Sequence, residues 1–482
     1  MDRGNLSPKI INFAVIKNST SQMKVLKFGG TSVGTAKAMT NLVKIVEGLS
    51  EPAVVVVSAL GGVTDKLIDT ANRASVADES YRSNISELRQ RHADMIEAMV
   101  EPSKQDGVQQ FATEMLNQLN DICRGLSLVG ELTERSLSMI VAFGERISSC
   151  IVANAIKGAR HIDSLETTRT ERRFGKNVAD VGLTAELMKK AFGNIEAGKP
   201  IVMGGFISRD KDTNQITNLG RGGSDYTAAL AAAATNADVL EIWTDVDGFM
   251  TADPRMIPEA KVLGELSFVE SMELCSFGAK VIYPPTIYPV FKRGIPIRIL
   301  NTFNPEADGT FISDHSSTQQ QECVHGLSSL KDCVLIKVRG ESIAGDTDSN
   351  ARIFNTLGKR GISVLLVNKR SPAATVAFAV KGSDGKMALE ELQKEYAPEL
   401  ASGAISSVEM QPDVEVVAVV GENIGNNFGI RSRIFNTLEE NGVRLLASAF
   451  GTSLTTVSFV TTVGEANRAI ALLHKELIET SD

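Results

Sequence analysis

The stretch KVLKFGGTSVG, residues 24–34, decides how this chain is read. Val25, Leu26 and Phe28 supply the apolar positions of a short strand, Gly29 and Gly30 follow, and AKAMTNLVKIVEGL (36–49) then has helical periodicity. Glycines without a Cβ bring backbone N–H groups close to a ligand and permit positive φ. A helix N-terminus behind them attracts anions, and Lys27 adds an ammonium at the same turn. The local reading is a phosphate-binding strand–turn–helix, although an ordinary glycine-rich turn fits the spacing at least as well. Gly30-Thr31-Ser32-Val33-Gly34 also fits the G-x-S-x-G elbow of hydrolases. That reading needs a late histidine in a loop. His315, His325 and His474 stand in polar or helical contexts, which weighs against it.

With 482 residues the chain is long enough for two or three domains. Its 43% hydrophobic and 22% charged residues are those of a globular protein. The net charge of −8, without a basic run, argues against nucleic acid or an anionic membrane as partner. Five scattered cysteines with no C-x-x-C pair indicate reduced thiols, no zinc site and a cytoplasmic location. The apolar run AVVVV (53–57) is too short to cross a bilayer, and residues 1–22 read as a tail without a targeting signal.

EPAVVVVSALGG (51–62) reads as a strand buried on both faces, followed by a second ligand-facing loop with Gly61, Gly62 and Thr64. Residues 65–156 are helical in pattern, and Glu145 is placed at the start of an apolar helix, where a dipole-complementing role is the plain reading. KPIVMGGFISRD (199–210) is another buried strand with a hairpin-like turn after it. TNLGRGGSDYTAALAAAA (217–234) repeats the glycine-loop theme, with Ser224 and Asp225 suited to N-capping an alanine-rich helix. Further strands lie in ADVLEIWTDVDGFMTADPR (237–255) and IPIRILN (295–301), with SFGAKVIYPPTI (276–287) between them. Alternating strands and helices predict a three-layer α/β domain on a mostly parallel sheet. GNIEAGKP (193–200) resembles a P-loop but runs from helix to strand and lacks the hydroxyl residue, so it is rejected.

Beyond the polar segment 303–324 an internal repeat appears. GESI (340–343) returns as GENI (421–424), RIFNTL (352–357) returns at 433–438, and Gly361 returns as Gly442. The common offset marks a duplicated unit. Each copy predicts a βαββα arrangement, giving two small α+β sandwiches.

KFGGTSVG (27–34), GRGGSD (220–225), WTDVDGFMTADPR (243–255) and SFGAK (276–280) together resemble aspartokinases of the amino acid kinase family, and the duplicated tail resembles their paired ACT domains. The resemblance runs from about Lys24 to near the C-terminus. It implies a tail at 1–22, a kinase domain at 23–312, a linker at 313–324, and ACT units at 325–400 and 401–482. It implies ATP- and Mg²⁺-dependent phosphorylation of the β-carboxylate of L-aspartate, opening the route to lysine, threonine and methionine. Lys27 and Asp225 would be catalytic. Thr64, Glu145, Arg221 and Ser224 would hold aspartate, Glu145 on its ammonium and Arg221 on a carboxylate. Lys27, Phe28, Gly29, Gly30, Thr244, Asp245, Met250, Arg255, Lys280 and Val281 would line the nucleotide site. Mg²⁺ would ride on phosphate oxygens, so no metal-ligand cluster is expected.

Two departures matter. Met250 replaces a tyrosine common at the adenine side. No sequence follows the second ACT-like unit, so the resemblance implies an enzyme without a fused homoserine dehydrogenase. The ACT-like half implies feedback by an amino acid in a homodimer or homotetramer, with Ser342, Ile343, Asp346, Ser363, Val364 and Leu365 around the effector. Leu365 stands where lysine-inhibited relatives tend to carry aspartate, which leans the effector toward threonine over lysine. A non-catalytic amino-acid sensor and a sibling kinase acting on glutamate, acetylglutamate or a nucleotide are the alternative readings.

Overall fold

The structure is a computed structural model and describes residues 23–173, 175–314, 324–341, 347–370, 374–450 and 454–481. The strand Lys24–Phe28 lies at the centre of an eight-stranded sheet. On one side it pairs in parallel with Ala53–Val57, which is followed outward by Ile201–Gly204 and Arg160–Ile162. On the other side it pairs in parallel with Val239–Thr244, which pairs in parallel with Ile297–Asn301. Only the two strands at this edge, Thr310–Ser313 and Glu265–Ser267, run the opposite way.

Side-chain alternation divides the sheet's two faces. Leu26, Phe28, Val55 and Val57 face a layer of helices that includes Ala36–Glu47, Val63–Ser75, Tyr81–Met99, Pro102–Val129 and Glu134–Ala155. Val25, Val54 and Val56 face the alanine-rich helix Gly223–Thr235 and its neighbours. This is the expected three-layer α/β domain. Helix Glu134–Ala155 is long and apolar enough to cross a membrane, but 78% of its apolar window is buried in the protein, as in a core helix. The stretch 199–210, read as one strand, breaks into Ile201–Gly204 of the main sheet and Ile207–Asp210, which with Lys176–Ala179, Arg169–Arg173 and Ile216–Asn218 forms a separate four-stranded sheet. Its short strands are largely charged (RTERR) and carry no apolar alternation. The polar segment read as a connector beyond residue 302 contributes the strand Thr310–Ser313 to the main sheet.

Each half of the repeat gives a strand, a helix, two strands and a helix, as expected. The first comprises Gly326–Arg339, Thr347–Lys359, Leu366–Arg370, Thr375–Lys381 and Gly382–Glu395. The second comprises Ser407–Val420, Phe428–Glu440, Ala447–Phe450, Thr456–Thr462 and Val463–Leu477. The two halves are joined more closely than two separate sandwiches. The 14-residue strands Gly326–Arg339 and Ser407–Val420 pair antiparallel with each other, and both halves merge into one six-stranded sheet. The first part of each long strand serves the other half's unit.

This sheet docks on the kinase-like domain. Ala418 and Val420 join the core that holds Phe268 and Leu274. Leu327 N donates to Thr251 O at 2.7 Å, and Thr251 Oγ1 lies 2.9 Å from His474 Nε2. His325 Nδ1 lies 2.5 Å from Glu270 Oε1 in a buried pair. Gly278, at φ 124°, lies so close to the long strand that a Cβ would stand 2.1 Å from Ser329 O. Strain and clash of this kind cost about 1–3 kcal/mol. Gly278→Ala is therefore expected to lower the melting temperature by roughly 5 °C and to separate the unfolding of the two halves. Scanning calorimetry checks this; one unshifted transition would mean that the contact yields freely.

Candidate active site

The site forms beyond the C-terminal ends of the central parallel strands, where successive connections leave in opposite directions and α/β sheets open a crevice. A cavity of about 400 Å³ lies there, lined by Lys27, Gly30, the loop Ser58–Gly62, Thr64, Asp65, Glu145, Phe206, Gly220 and Gly222–Asp225. Of the expected residues, the fold brings Lys27, Gly30, Thr64, Glu145, Ser224 and Asp225 into this one space.

The glycines of the opening stretch differ from expectation. Gly29 has φ −71° and Gly34 has φ −76°, and Gly30 is not among the positive-φ residues. Close packing is what requires Gly34 and, across from it, Gly61. A Cβ on Gly34 would stand 2.9 Å from Gly30 O, and one on Gly61 would stand 3.0 Å from the same oxygen. A single helical turn, Gly30–Val33, precedes the longer helix, whose N-terminus is set back and capped by Thr35 Oγ1 on Ala38 N. The helix N-termini that reach the cavity belong to Val63–Ser75 and Gly223–Thr235. Each begins on a left-handed glycine, Gly62 (φ 79°) or Gly222 (φ 67°), with no side-chain cap. Val63 N and Gly223 N donate to Leu60 O and Gly220 O, and the positive dipole ends behind them are left for an anion. Ser224 is not the cap; its Oγ accepts from Ser58 Oγ at 3.1 Å.

Lys27 Nζ stands 2.8 Å from Asp225 Oδ1, an ion pair whose alignment falls short of a hydrogen bond. Glu145 is not in a first helical turn; it sits mid-way along Glu134–Ala155, fully inside the protein. Burial pushes its pKa up to about 8, against the weaker pull of backbone N–H groups at Ala59 and Glu145. One carboxyl oxygen, Oε2, has no hydrogen-bond partner. A buried carboxyl with a free oxygen in a polar cavity is built for a cation.

The other expected residues lie outside the lining of this cavity. The Phe28 ring is buried and stacks on Trp243 at 5.9 Å, and its backbone is paired within the sheet, with Ser58 N donating to Phe28 O at 3.2 Å. Sheet register sets Gly29 beside Thr244, and Gly29 N donates to Trp243 O at 3.2 Å. Thr244 Oγ1 donates to Asp245 Oδ1 at 3.3 Å. Met250 bridges Val262 by its backbone, and Arg255 pairs with Asp253 at 2.9 and 2.7 Å. Lys280 is exposed and Val281 packs on the core. Arg221 is exposed between Gly220 and Gly222, both at positive φ. Sequence reasoning missed Ser58, Asp65 and Phe206. Phe206 holds φ 66°, which a ring residue seldom adopts, and no local signal announces it. Ser32 is buried and bonded to Trp243 O (3.3 Å) and Thr302 Oγ1 (2.7 Å), which removes the hydrolase elbow.

The description "Amino acid kinase family" matches residues 22–301, and "ACT domain" matches residues 417–477. The chain belongs to the amino acid kinase family. It is 29% identical to a bifunctional aspartokinase/homoserine dehydrogenase of Haemophilus influenzae over 94% of this chain and 56% of that protein. The chain spans about half the length of the bifunctional relatives it matches. It is 28% identical to lysine-sensitive aspartokinase 3 of Escherichia coli, over 95% of this chain and 100% of that protein. The crystal structure of E. coli aspartokinase III in complex with aspartate and ADP superposes with TM-score 0.79 at 26% identity, over 95% of this chain and all of that one.

Glu145 gives this amino acid kinase site a pH signature. Folded Glu145 holds its proton up to about pH 8, whereas an unfolded glutamate releases it near 4.5. The folded state therefore binds more protons between these values, and this group makes stability fall as pH rises through that window. Glu145→Gln is expected to raise the melting temperature, more at pH 8 than at pH 5. Thermal melts across pH check this; an equal shift at both pH values would show that Glu145 ionises normally in the fold.

Proposed function

We propose that this chain transfers the γ-phosphoryl group of ATP to the β-carboxylate of L-aspartate, giving 4-phospho-L-aspartate, under feedback control by an amino acid. The observation that carries the reading is one cavity holding the Lys27–Asp225 pair, two uncapped helix N-termini and the unpartnered Glu145 carboxyl. An anionic phosphoryl group and a substrate ammonium both have counterparts there. The aspartate and ADP complex of E. coli aspartokinase III supports the same choice of substrates.

Phosphoryl transfer asks the protein for position and charge relief. The aspartate ammonium would pair with Glu145, whose proton would pass to solvent as the carboxyl ionises, and Thr64 and Ser224 would fix the substrate's polar ends. Arg221, between its two left-handed glycines, would turn inward onto a substrate carboxylate with its planar fork. The β-carboxylate oxygen would then attack γ-phosphorus as the bond to the ADP oxygen breaks. Lys27 would hold the γ-phosphoryl oxygens, with Gly29 and Gly30 amides beside it and Asp225 fixing the ammonium. The nucleotide would extend along Thr244, Asp245, Met250, Arg255, Lys280 and Val281. No group of three His, Cys, Asp or Glu side chains suited to a metal occurs among the described residues. Mg²⁺ needs only one or two carboxylates beside phosphate oxygens, and Asp225 fits that demand. When bound, Mg²⁺ would neutralise phosphate charge.

Feedback would act through the ACT-like half. Ser342, Ile343 and Asp346 lie outside the described residues. Ser363, Val364 and Leu365 form the extended approach to the strand Leu366–Arg370, and the Leu365 side chain packs on apolar neighbours. The effector is threonine or lysine, held where two chains of a homodimer or homotetramer meet. The lysine-sensitive relative favours lysine, and the apolar Leu365 favours threonine. Bound effector must prefer the inactive arrangement. The docking of the regulatory sheet beside Gly278 and Thr251 would pass that preference to the nucleotide side.

An ATP-consumption assay with aspartate tests the activity. Lys27→Ala and Asp225→Ala should each lower kcat by about a hundredfold or more while circular dichroism stays native. Near-normal turnover in either would remove that residue from the site. Arg221→Lys should raise the aspartate KM and leave the ATP KM nearly unchanged, because an ammonium lacks two parallel donors. Lysine and threonine, added separately, should identify the effector, and light scattering should report the oligomer; indifference to both amino acids would refute feedback while leaving the kinase intact.

A further inference from the structure

The middle of the segment 250–255, placed along the nucleotide above, is built into the core of the regulatory half. Ala252 and Ile257 are buried in one apolar cluster with Leu473 and Leu477 of helix Val463–Leu477 and with Val417 and Val419 of the long strand. Thr251 is the polar pin of this contact, and it is 5% exposed. Thr251 N donates to Lys261 O at 2.9 Å, Leu327 N donates to Thr251 O, and Lys261 N donates to Thr251 Oγ1 at 3.0 Å. The remaining bond reaches the last helix, where His474 Nε2 lies 2.9 Å from Thr251 Oγ1. His474 is 1% exposed and stands in the last turn of that helix. Its Nδ1 lies 2.7 Å from Glu479 Oε1. An ionised carboxylate only accepts, so Nδ1 carries the proton and the neutral Nε2 is an acceptor. The Thr251 hydroxyl accepts from Lys261 N and donates to that Nε2. Glu479 thus sets the tautomer of His474, and His474 sets the rotamer of Thr251.

We infer that His474 is a positioning residue for nucleotide binding: the last helix of the regulatory half, through Thr251 Oγ1, holds the backbone that offers Met250 and Arg255 to the nucleotide. The inference rests on the placement of the nucleotide in the proposed function. Met250 is bridged to Val262 by its backbone and the Arg255 side chain is exposed, so the buried pair Thr251 and Ala252 fixes the turn between them. Ordering a loose turn when a ligand binds subtracts from affinity, and a turn pinned beforehand avoids that cost. His474 touches no substrate and acts only through Thr251.

Calorimetric titration of the full chain with ADP tests this, because it needs nucleotide binding and no turnover. His474→Asn can reach Glu479 and not Thr251, whereas His474→Gln can place an acceptor where Nε2 stands. We expect His474→Asn to weaken ADP binding about fivefold, as for one lost hydrogen bond, and His474→Gln to weaken it by less than about twofold. Thr251→Val tests the same bond from the other side and should match His474→Asn, and Thr251→Ser should bind ADP as the unaltered chain does. Thr251→Val combined with His474→Asn should bind no worse than either alone, since both remove one bond. L-Aspartate, titrated in the same way, should bind all of them equally. Hydrogen exchange of the Lys261 amide, bonded to Thr251 Oγ1, should quicken in His474→Asn and not in His474→Gln. The inference is overturned by unchanged ADP affinity in His474→Asn and Thr251→Val, by equal weakening in His474→Asn and His474→Gln, or by weakening that extends equally to aspartate. A chain that binds ADP yet consumes no ATP with aspartate refutes the proposed reaction alone, and an unaltered chain that binds no ADP overturns both.

Discussion

Close approach of two backbones is the constraint on which the active site rests. The loops after Lys24–Phe28 and Ala53–Val57 meet at Gly30, Gly34 and Gly61, with the Gly30 carbonyl oxygen at the centre of the contact. Parallel strands about 4.8 Å apart deliver their following loops side by side, and only residues without side chains let those loops touch. That contact sets where helix Val63–Ser75 begins, and the same crevice then receives helix Gly223–Thr235 from beyond the next loop. The charged residues act within a frame of backbone packing.

Charge within that frame is arranged in two ways. Lys27 and Asp225 compensate each other in a partly exposed pair. Glu145 is left uncompensated deep in a helix that is otherwise core. An unpaired buried carboxyl disfavours its own ionised state, so the folded protein holds it protonated until a cation or a pH above about 8 draws the proton off. Stability and recognition are opposed at this one side chain, as is common where binding sites are preorganised.

Much of this was legible in the sequence. Strand alternation, the glycine loops and the repeat each produced elements close to those found, because burial on two faces and duplication both leave periodic marks. Lys27, Asp225, Thr64 and Glu145 stand out in the sequence, and one cavity gathers them. The reasons were less legible. Glu145 reads as a helix-start residue because nothing local tells how far upstream its helix begins. Gly29 and Gly30 suggest positive φ, whereas neither adopts it and Gly30 instead packs against Ala59 and Gly61, some 30 residues away. The left-handed backbone of Phe206 and the short charged strand Arg169–Arg173 depend on tertiary contacts with no periodic trace. The joining of the two repeats was hidden for the same reason: each long strand looks complete by itself.

That joining bears on how the molecule is made. Residues 326–330 find their pairing partners at 416–420, which leave the ribosome some ninety residues later. The first repeat therefore emerges with half of its leading strand unpaired, its amides and carbonyls bare, until the second repeat arrives. Closing so distant a contact is slow relative to local helix formation. The kinase domain, whose central strands lie earlier in the chain, offers that waiting strand a temporary shelter through Leu327 and Thr251. The residues that hold the waiting strand are thus made before the strands that complete its sheet.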